Sequence, residues 1–166
     1  YSTTINLNAV NDAPTTPGGS ATVAEDATHT FTTTASDWGF ADVDTGDTMT
    51  SVDITSLPAT GTLNYGGSAV EAGDDIAIAN LGGLTYVPVA NANGAVTFTF
   101  KVYDGEALSA SAGTFTLTYT AVDDAPVCEA GDAQSVAEGA TVTLDGTGSS
   151  DVESDTITYA WTVASG

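Results

Sequence analysis

The stretch Val96–Gly105, VTFTFKVYDG, decides the fold. Val96, Phe98, Phe100 and Val102 alternate with Thr97, Thr99, Lys101 and Tyr103, so one face of a strand is apolar and the other polar. Asp104-Gly105 then supplies a tight turn. Downstream, residues 111–121 continue the period, with Phe115, Leu117 and Tyr119 between Thr114, Thr116 and Thr118. Upstream, strands are predicted at 84–89, 75–79 and 48–57, the last ended by Pro58, with a hairpin over 61–70 that turns at Gly66-Gly67. A first pair of strands is predicted at 21–25 and 28–35, joined by a turn around Asp26 and Ala27. Thr and Gly interrupt every candidate helical stripe. Short antiparallel strands at this spacing predict an all-β chain, an immunoglobulin-like antiparallel β-sandwich of two sheets.

The pattern repeats. Val10-Asn11-Asp12-Ala13-Pro14 returns as Val122-Asp123-Asp124-Ala125-Pro126, an offset of 126 minus 14, or 112. Val23-Ala24-Glu25 returns as Val136-Ala137-Glu138, and an acidic loop at Asp42 returns at Asp151. Three landmarks in one order predict tandem repeats of about 110 residues. Residues 1–10, in which Ile5, Leu7 and Ala9 alternate with polar residues, read as the last strand of a preceding repeat. Residues 11–122 read as one complete sandwich, and 123–166 as a linker with the first strands of a further, incomplete repeat. Starting at Tyr1 and stopping at Gly166, the chain reads as a piece of something longer.

The acidic loop carries the chemistry. Asp42, Asp44 and Asp47 fall within six residues around Gly46, and Asp151, Glu153 and Asp155 form the second copy with one residue deleted. Carboxylates roughly 5 Å apart at an effective dielectric of about 20 repel by on the order of 3 kcal/mol per pair. A cation relieves this, and calcium, with six to eight oxygen ligands and tolerance of irregular geometry, suits acids at alternate positions of a Gly-containing loop. A solvated acidic turn is the alternative for either loop alone. In a sandwich of this kind the loop at 37–47 and the turn at Asp104 lie at the end where the chain enters. Asn11 and Asp12 are therefore expected beside Asp42, Asp44, Asp47 and Asp104, while Asp123 and Asp124 are expected between Glu25 and the loop of Asp151, Glu153 and Asp155. Asp53, inside a strand and facing outward, is expected to have no converging oxygens.

Composition narrows the function. The 166 residues hold 22 acids and one basic residue, Lys101, for a formal charge of -21, with one histidine, His29. Nucleic acid is excluded as a partner, because its phosphates need Lys and Arg. Phosphoryl transfer lacks its cationic clamp, and anionic membrane surfaces are disfavoured. No run of eighteen apolar residues and no basic segment before an apolar one occurs, so neither membrane insertion nor a leader is predicted. The single cysteine, Cys128, leaves no internal disulfide to form. His29 has no acid or nucleophile beside it in its own alternating strand, so no catalytic group is assigned and the chain is read as non-enzymatic.

The motifs NDAP, AEDAT, DVDTGD, LPATGTLNYGGSAVEAGDDI, GGLTYVPVANANG, VTFTFKVYDG and VDDAP resemble the bacterial cadherin-like repeats of long secreted, RTX-type adhesins and biofilm matrix proteins. Residues 128–161 resemble the start of a polycystic-kidney-disease-type or related immunoglobulin-like repeat, with Trp161 as a core residue beside Ile157, Tyr159 and Val163. The resemblance implies a calcium-stiffened stalk, secreted or at the cell surface. Its Ca2+ ligands would come from Asn11, Asp12, Glu25, Asp42, Asp44, Asp47, Asp104, Asp123 and Asp124, joined in the second copy by Asp151, Glu153 and Asp155. Partners would be adjacent repeats of the same polypeptide or neighbouring chains head-to-tail, with cell-surface or matrix polysaccharide as a further ligand.

Two alternatives stand beside this reading. One is a carbohydrate-binding module of a secreted polysaccharide-degrading protein, presenting Trp38, Phe40, Tyr65 or Tyr103 to sugar, against which Trp38 and Phe40 would simply cap the core. The other is a fibre subunit in which strand 1–10 completes a neighbouring chain by strand addition.

Overall fold

The computed structural model describes residues 10–163. The strand predicted over residues 1–10 falls outside them, apart from the exposed Val10. Strand β8, Ala95–Tyr103, is the centre from which the sandwich is built, with Val96, Phe98, Phe100 and Val102 buried and the intervening residues turned outward. The other strands are β1 (Gly18–Ala24), β2 (His29–Thr30), β3 (Ser51–Ser56), β4 (Thr62–Tyr65), β5 (Ser68–Ala69), β6 (Asp75–Ala77), β7 (Leu84–Val87) and β9 (Gly113–Thr120). They form a five-stranded sheet in the order β1-β9-β8-β3-β6 and a four-stranded sheet in the order β2-β7-β4-β5. Register puts Val52 opposite Val102 and Phe98 opposite Phe115, so the inward faces match across three strands. The chain divides into two units between Ala121 and Val122, and this sandwich is the first of them.

Three features depart from the expected pattern. First, the strands on either side of the Asp26-Ala27 turn do not pair: β2 joins β7, while β1 runs parallel to β9 at the sheet edge. A chain that enters at one end and leaves at the other must run its first and last strands in the same direction, so this pair is the one parallel element among antiparallel ladders. The approach is close: a Cβ on Gly18, at φ +113°, would lie 1.9 Å from the Thr114 carbonyl oxygen, a position that only glycine can fill.

Second, the strand predicted over 28–35 stops after His29–Thr30, and a 3-10 turn forms at Ala35–Trp38. The Thr-rich run favours strand by propensity, but local bonds win. The Thr32 hydroxyl donates to Asp37 Oδ2 at 2.6 Å, and the Asp37 amide donates to the Thr34 carbonyl at 3.0 Å. The turn swings Trp38 into the core, fully buried, where its indole meets Phe100 edge-on at 4.9 Å and Phe115 at 5.2 Å. Its Nε1 donates to the Thr32 carbonyl at 3.2 Å, which satisfies its polar edge. A second 3-10 segment, Ile78–Gly83, replaces the end of the predicted strand at 75–79 and buries Leu81.

Third, the described residues of the second unit form no regular strand; their one β-bridge joins Val127 to Ser150. Trp161 and Tyr159 remain about half exposed and Val163 fully so, where a strand facing a core was expected. A short stretch without a facing sheet has nothing to bury its apolar side chains against.

His29 packs edge-on against Phe31 at 4.8 Å, and partial burial holds its imidazole below the ordinary value of 6.5. The unfolded chain therefore binds the proton first, so stability is full above about 6.5 and falls as pH drops through it. In chelator, wild type should lose more stability than His29→Gln between about pH 7.5 and about pH 5.5. Parallel losses, followed by chemical denaturation, would show that His29 is not desolvated in the fold.

Candidate metal centre

The parallel pairing of β1 and β9 sets the starts of both strands at one end of the sandwich. The acidic loop before β3 and the turn after β8 reach the same end, because Ser51 at the start of β3 lies opposite Tyr103 at the end of β8. The entering segment is pinned there by a two-way backbone pair between Thr15 and Ala41, at 2.8 and 3.0 Å, with Pro14 buried.

This arrangement brings six expected residues together. Asn11 Nδ2 donates to Asp104 Oδ2 at 3.2 Å, and the Asp12 amide donates to Asp44 Oδ2 at 2.7 Å. Within the loop the Asp44 amide donates to Asp42 Oδ1 at 2.8 Å. Asp104 Oδ1 accepts from the amides of Glu106 and Ala107 at 2.6 and 2.7 Å. Backbone donors thus orient Asp42 and Asp44 through one oxygen each, and Asp104 is held at both oxygens, by two amides and by Asn11. Asp42 Oδ2, the other oxygen of its carboxylate, is buried and has no hydrogen-bond partner. One carboxylate oxygen from each of Asp42, Asp44 and Asp47 lies within 4.8 Å of the others.

Two oxygens on one calcium ion, each at 2.3–2.6 Å, can be at most about 5.2 Å apart, whereas magnesium at 2.0–2.1 Å allows only about 4.2 Å. The 4.8 Å limit lies inside the calcium span, and a buried oxygen without a donor is what a cation would engage. Electrostatics agree. Desolvation in the crowded loop and the charges of Asp42, Asp44 and Asp104 hold the Asp47 carboxyl above the ordinary carboxylate range. Asp104 is held below it in spite of desolvation, because Ala107, Glu106 and Asn11 donate to it. Glu106, which sequence reading left out, lines the same cleft as Asn11, Asp44 and Asp47. Its signal was its place two residues after Asp104 in the same turn.

The remaining expected residues are placed differently. Glu25 is buried at the far end of the first unit, and its amide donates to the Thr120 carbonyl at 3.1 Å. Asp123 is exposed and Asp124 half-buried in the second unit. There the Asp124 amide donates to Glu153 Oε2 at 3.2 Å, and Asp151 Oδ1 accepts from the amides of Glu153 and Asp155, both at 3.1 Å. The contacts of the first loop recur: Asp12 to Asp44 corresponds to Asp124 to Glu153, and the Thr15–Ala41 pair to the Val127–Ser150 pair. Convergence does not recur. Among the described residues, Asp42, Asp44 and Asp47 are the one acidic group close enough to share an ion. In the shorter loop a single oxygen of Asp151 accepts from two amides, those of Glu153 and Asp155. Trp38, offered above as a sugar platform, is wholly inside the core and presents no face to a ligand.

No helix among the described residues is long and apolar enough to cross a membrane. Comparison with curated proteins and with solved structures yields no match. A family model described as Cadherin-like domain matches residues 10–120, which takes in the whole sandwich and the entering segment. Such domains are typically non-enzymatic, extracellular, adhesion-type repeats and typically bind calcium. By that match, over more than half its length, the chain belongs to the cadherin-like domain family.

Proposed function

We propose that this chain is a calcium-stiffened, non-enzymatic repeat segment of a bacterial secreted adhesin or biofilm matrix protein, working between adjacent repeats of its own polypeptide or of neighbouring chains. The observation that carries the reading is Asp42 Oδ2, buried and undonated beside Asp44 and Asp47. Ca2+ bound there would offset the mutual repulsion of these acids and tie the entering segment, through Asn11 and Asp12, to the loop and to Asp104.

The recurring contacts suggest how stiffening would propagate. Each Asp-Ala-Pro segment is bonded to the acidic loop that follows it, by Asp12 to Asp44 and by Asp124 to Glu153. The downstream half of a linker is therefore already fixed to its own unit. Pro126 restricts its own φ and biases Ala125 toward extended backbone, so that half of the linker is partly straightened before any ion binds. Small-angle scattering on a chain carrying two consecutive units should give a longer, narrower distribution of dimensions in calcium than in chelator. Identical profiles would overturn the stiffening role.

A further inference from the structure

The outer face of the five-stranded sheet carries a second site, remote from the acidic loop in chemistry. Val52 and Ile54 of β3 are fully buried in the core, so Ser51 and Asp53 point the other way. Ser51 is buried and Asp53 half-buried. Ser51 is 4% exposed, its Oγ has no hydrogen-bond partner, and Asp53 Oδ1 is likewise buried and undonated. Both side chains line a pocket of about 260 Å³ completed by Gly73, Asp75, Tyr103 and Leu108. Asp75 lies directly opposite Asp53 on β6, and Tyr103 directly opposite Ser51 on β8. Alternation along β3 gave Asp53 its outward face, and the edge strand β6 adds a second acid, Asp75, at the position across from it.

Like charges directly opposed on neighbouring strands are unfavourable, and buried acceptors without donors are costly. Lys101, opposite Asp53 on the other side, balances one of the two charges. The pocket therefore calls for a cationic, donor-rich ligand. A primary ammonium brings three donors and one positive charge, which matches the two carboxylates and one hydroxyl. Tyr103 and Leu108 add an aromatic and an aliphatic wall, suited to the apolar face of a ring. The volume is below the range of about 300–1,000 Å³ of pockets that take drug-sized molecules, so it fits one ring.

We propose that this pocket binds an amino-sugar unit, its ammonium between Asp53 and Asp75, a hydroxyl on Ser51 Oγ, and its ring against Tyr103 and Leu108. The site is independent of the calcium reading, and its test is run in chelator so that failure of one leaves the other standing. Glucosamine, N-acetylglucosamine, glucose and an N-acetylated lysine amide are titrated into the isotopically labelled chain while the backbone amides of Ser51, Asp53, Asp75 and Tyr103 are followed by NMR. Glucosamine should give saturable shifts at these amides. N-acetylglucosamine and glucose, which lack the charge, should bind about tenfold or more weaker. Asp53→Asn and the exposed edge substitution Asp75→Asn should each weaken glucosamine by about tenfold, with Asp132→Asn, in the second unit, unchanged. Two substitutions guard against one that fails to fold, since either alone, with a dispersed spectrum, decides the matter. Absence of saturation, equal binding of the uncharged sugars, a lysine amide that binds as tightly as glucosamine, or the same shifts produced by calcium in place of sugar would each overturn the proposal.

Discussion

Replacing Trp38 by alanine should destabilise the first unit by about 3–5 kcal/mol, the cost of a large aromatic removed from a core that cannot collapse around the gap. The site is rigid for identifiable reasons. Trp38 is wholly buried among Phe98, Phe100 and Phe115 of the five-stranded sheet and Phe31, just after β2, which are themselves in ring contact. Its carbonyl accepts from the Thr16 hydroxyl at 2.7 Å, and its indole is tied to Thr32, so the turn that carries it is held at both edges. A domain of this size has about 5–15 kcal/mol of stability in all, so the loss should be visible as a large fall in denaturation midpoint. The same substitution separates the competing readings. A tryptophan that served as a sugar platform would be lost at little cost to folding, and a measured penalty under about 1 kcal/mol would contradict the burial described above.

Removing calcium should have the second-largest effect. With the ion at about a hundredfold over its dissociation constant, one site stabilises the fold by about 2.7 kcal/mol, which corresponds to roughly 10 °C in melting temperature for a sandwich of this size. The physical source is the loop itself: three carboxylates within 4.8 Å, one with a buried and undonated oxygen, of which Asp42 and Asp44 are held in place by backbone donors. Magnesium should restore much less of the loss, because it dehydrates reluctantly and demands near-ideal octahedral geometry that an irregular loop does not supply. A melting temperature indifferent to chelator would remove the loop from any role in stability.

Much of this was legible in the residues, and the parts that were not have physical reasons. The period of two in Val96–Tyr103 survives folding unchanged because both neighbours of β8 present matching apolar faces, so propensity, pattern and packing agree. The hairpin at Gly66-Gly67 was equally plain, since both glycines take positive φ, at 58° and 87°. The convergence of Asn11, Asp12, Asp42, Asp44, Asp47 and Asp104 followed from topology, because a loop before one strand and a turn after its partner must share an end. The 3-10 turn at Ala35–Trp38 was hidden, since Thr32, Thr33 and Thr34 carry a strand signal and only the Thr32–Asp37 contact, visible in three dimensions, reverses it. The pairing of Asp53 with Asp75 was hidden for a related reason: alternation shows which face a residue takes but not which strand will lie beside it. In the second unit the repeated motifs located a linker and a loop whose contacts recur, while its described residues form no regular strand.

The most direct test of the central claim is calorimetric titration of calcium into the metal-free chain, alongside Asp42→Ala and, as an exposed acid outside the loop, Glu71→Ala. Saturable binding by the wild-type chain is expected, with affinity lowered about tenfold or more by Asp42→Ala, which removes the buried oxygen, and left unaltered by Glu71→Ala. No saturable uptake, or an equal loss in both variants, would mean that the protein attracts calcium only through its overall charge and that the acidic loop is not a metal centre.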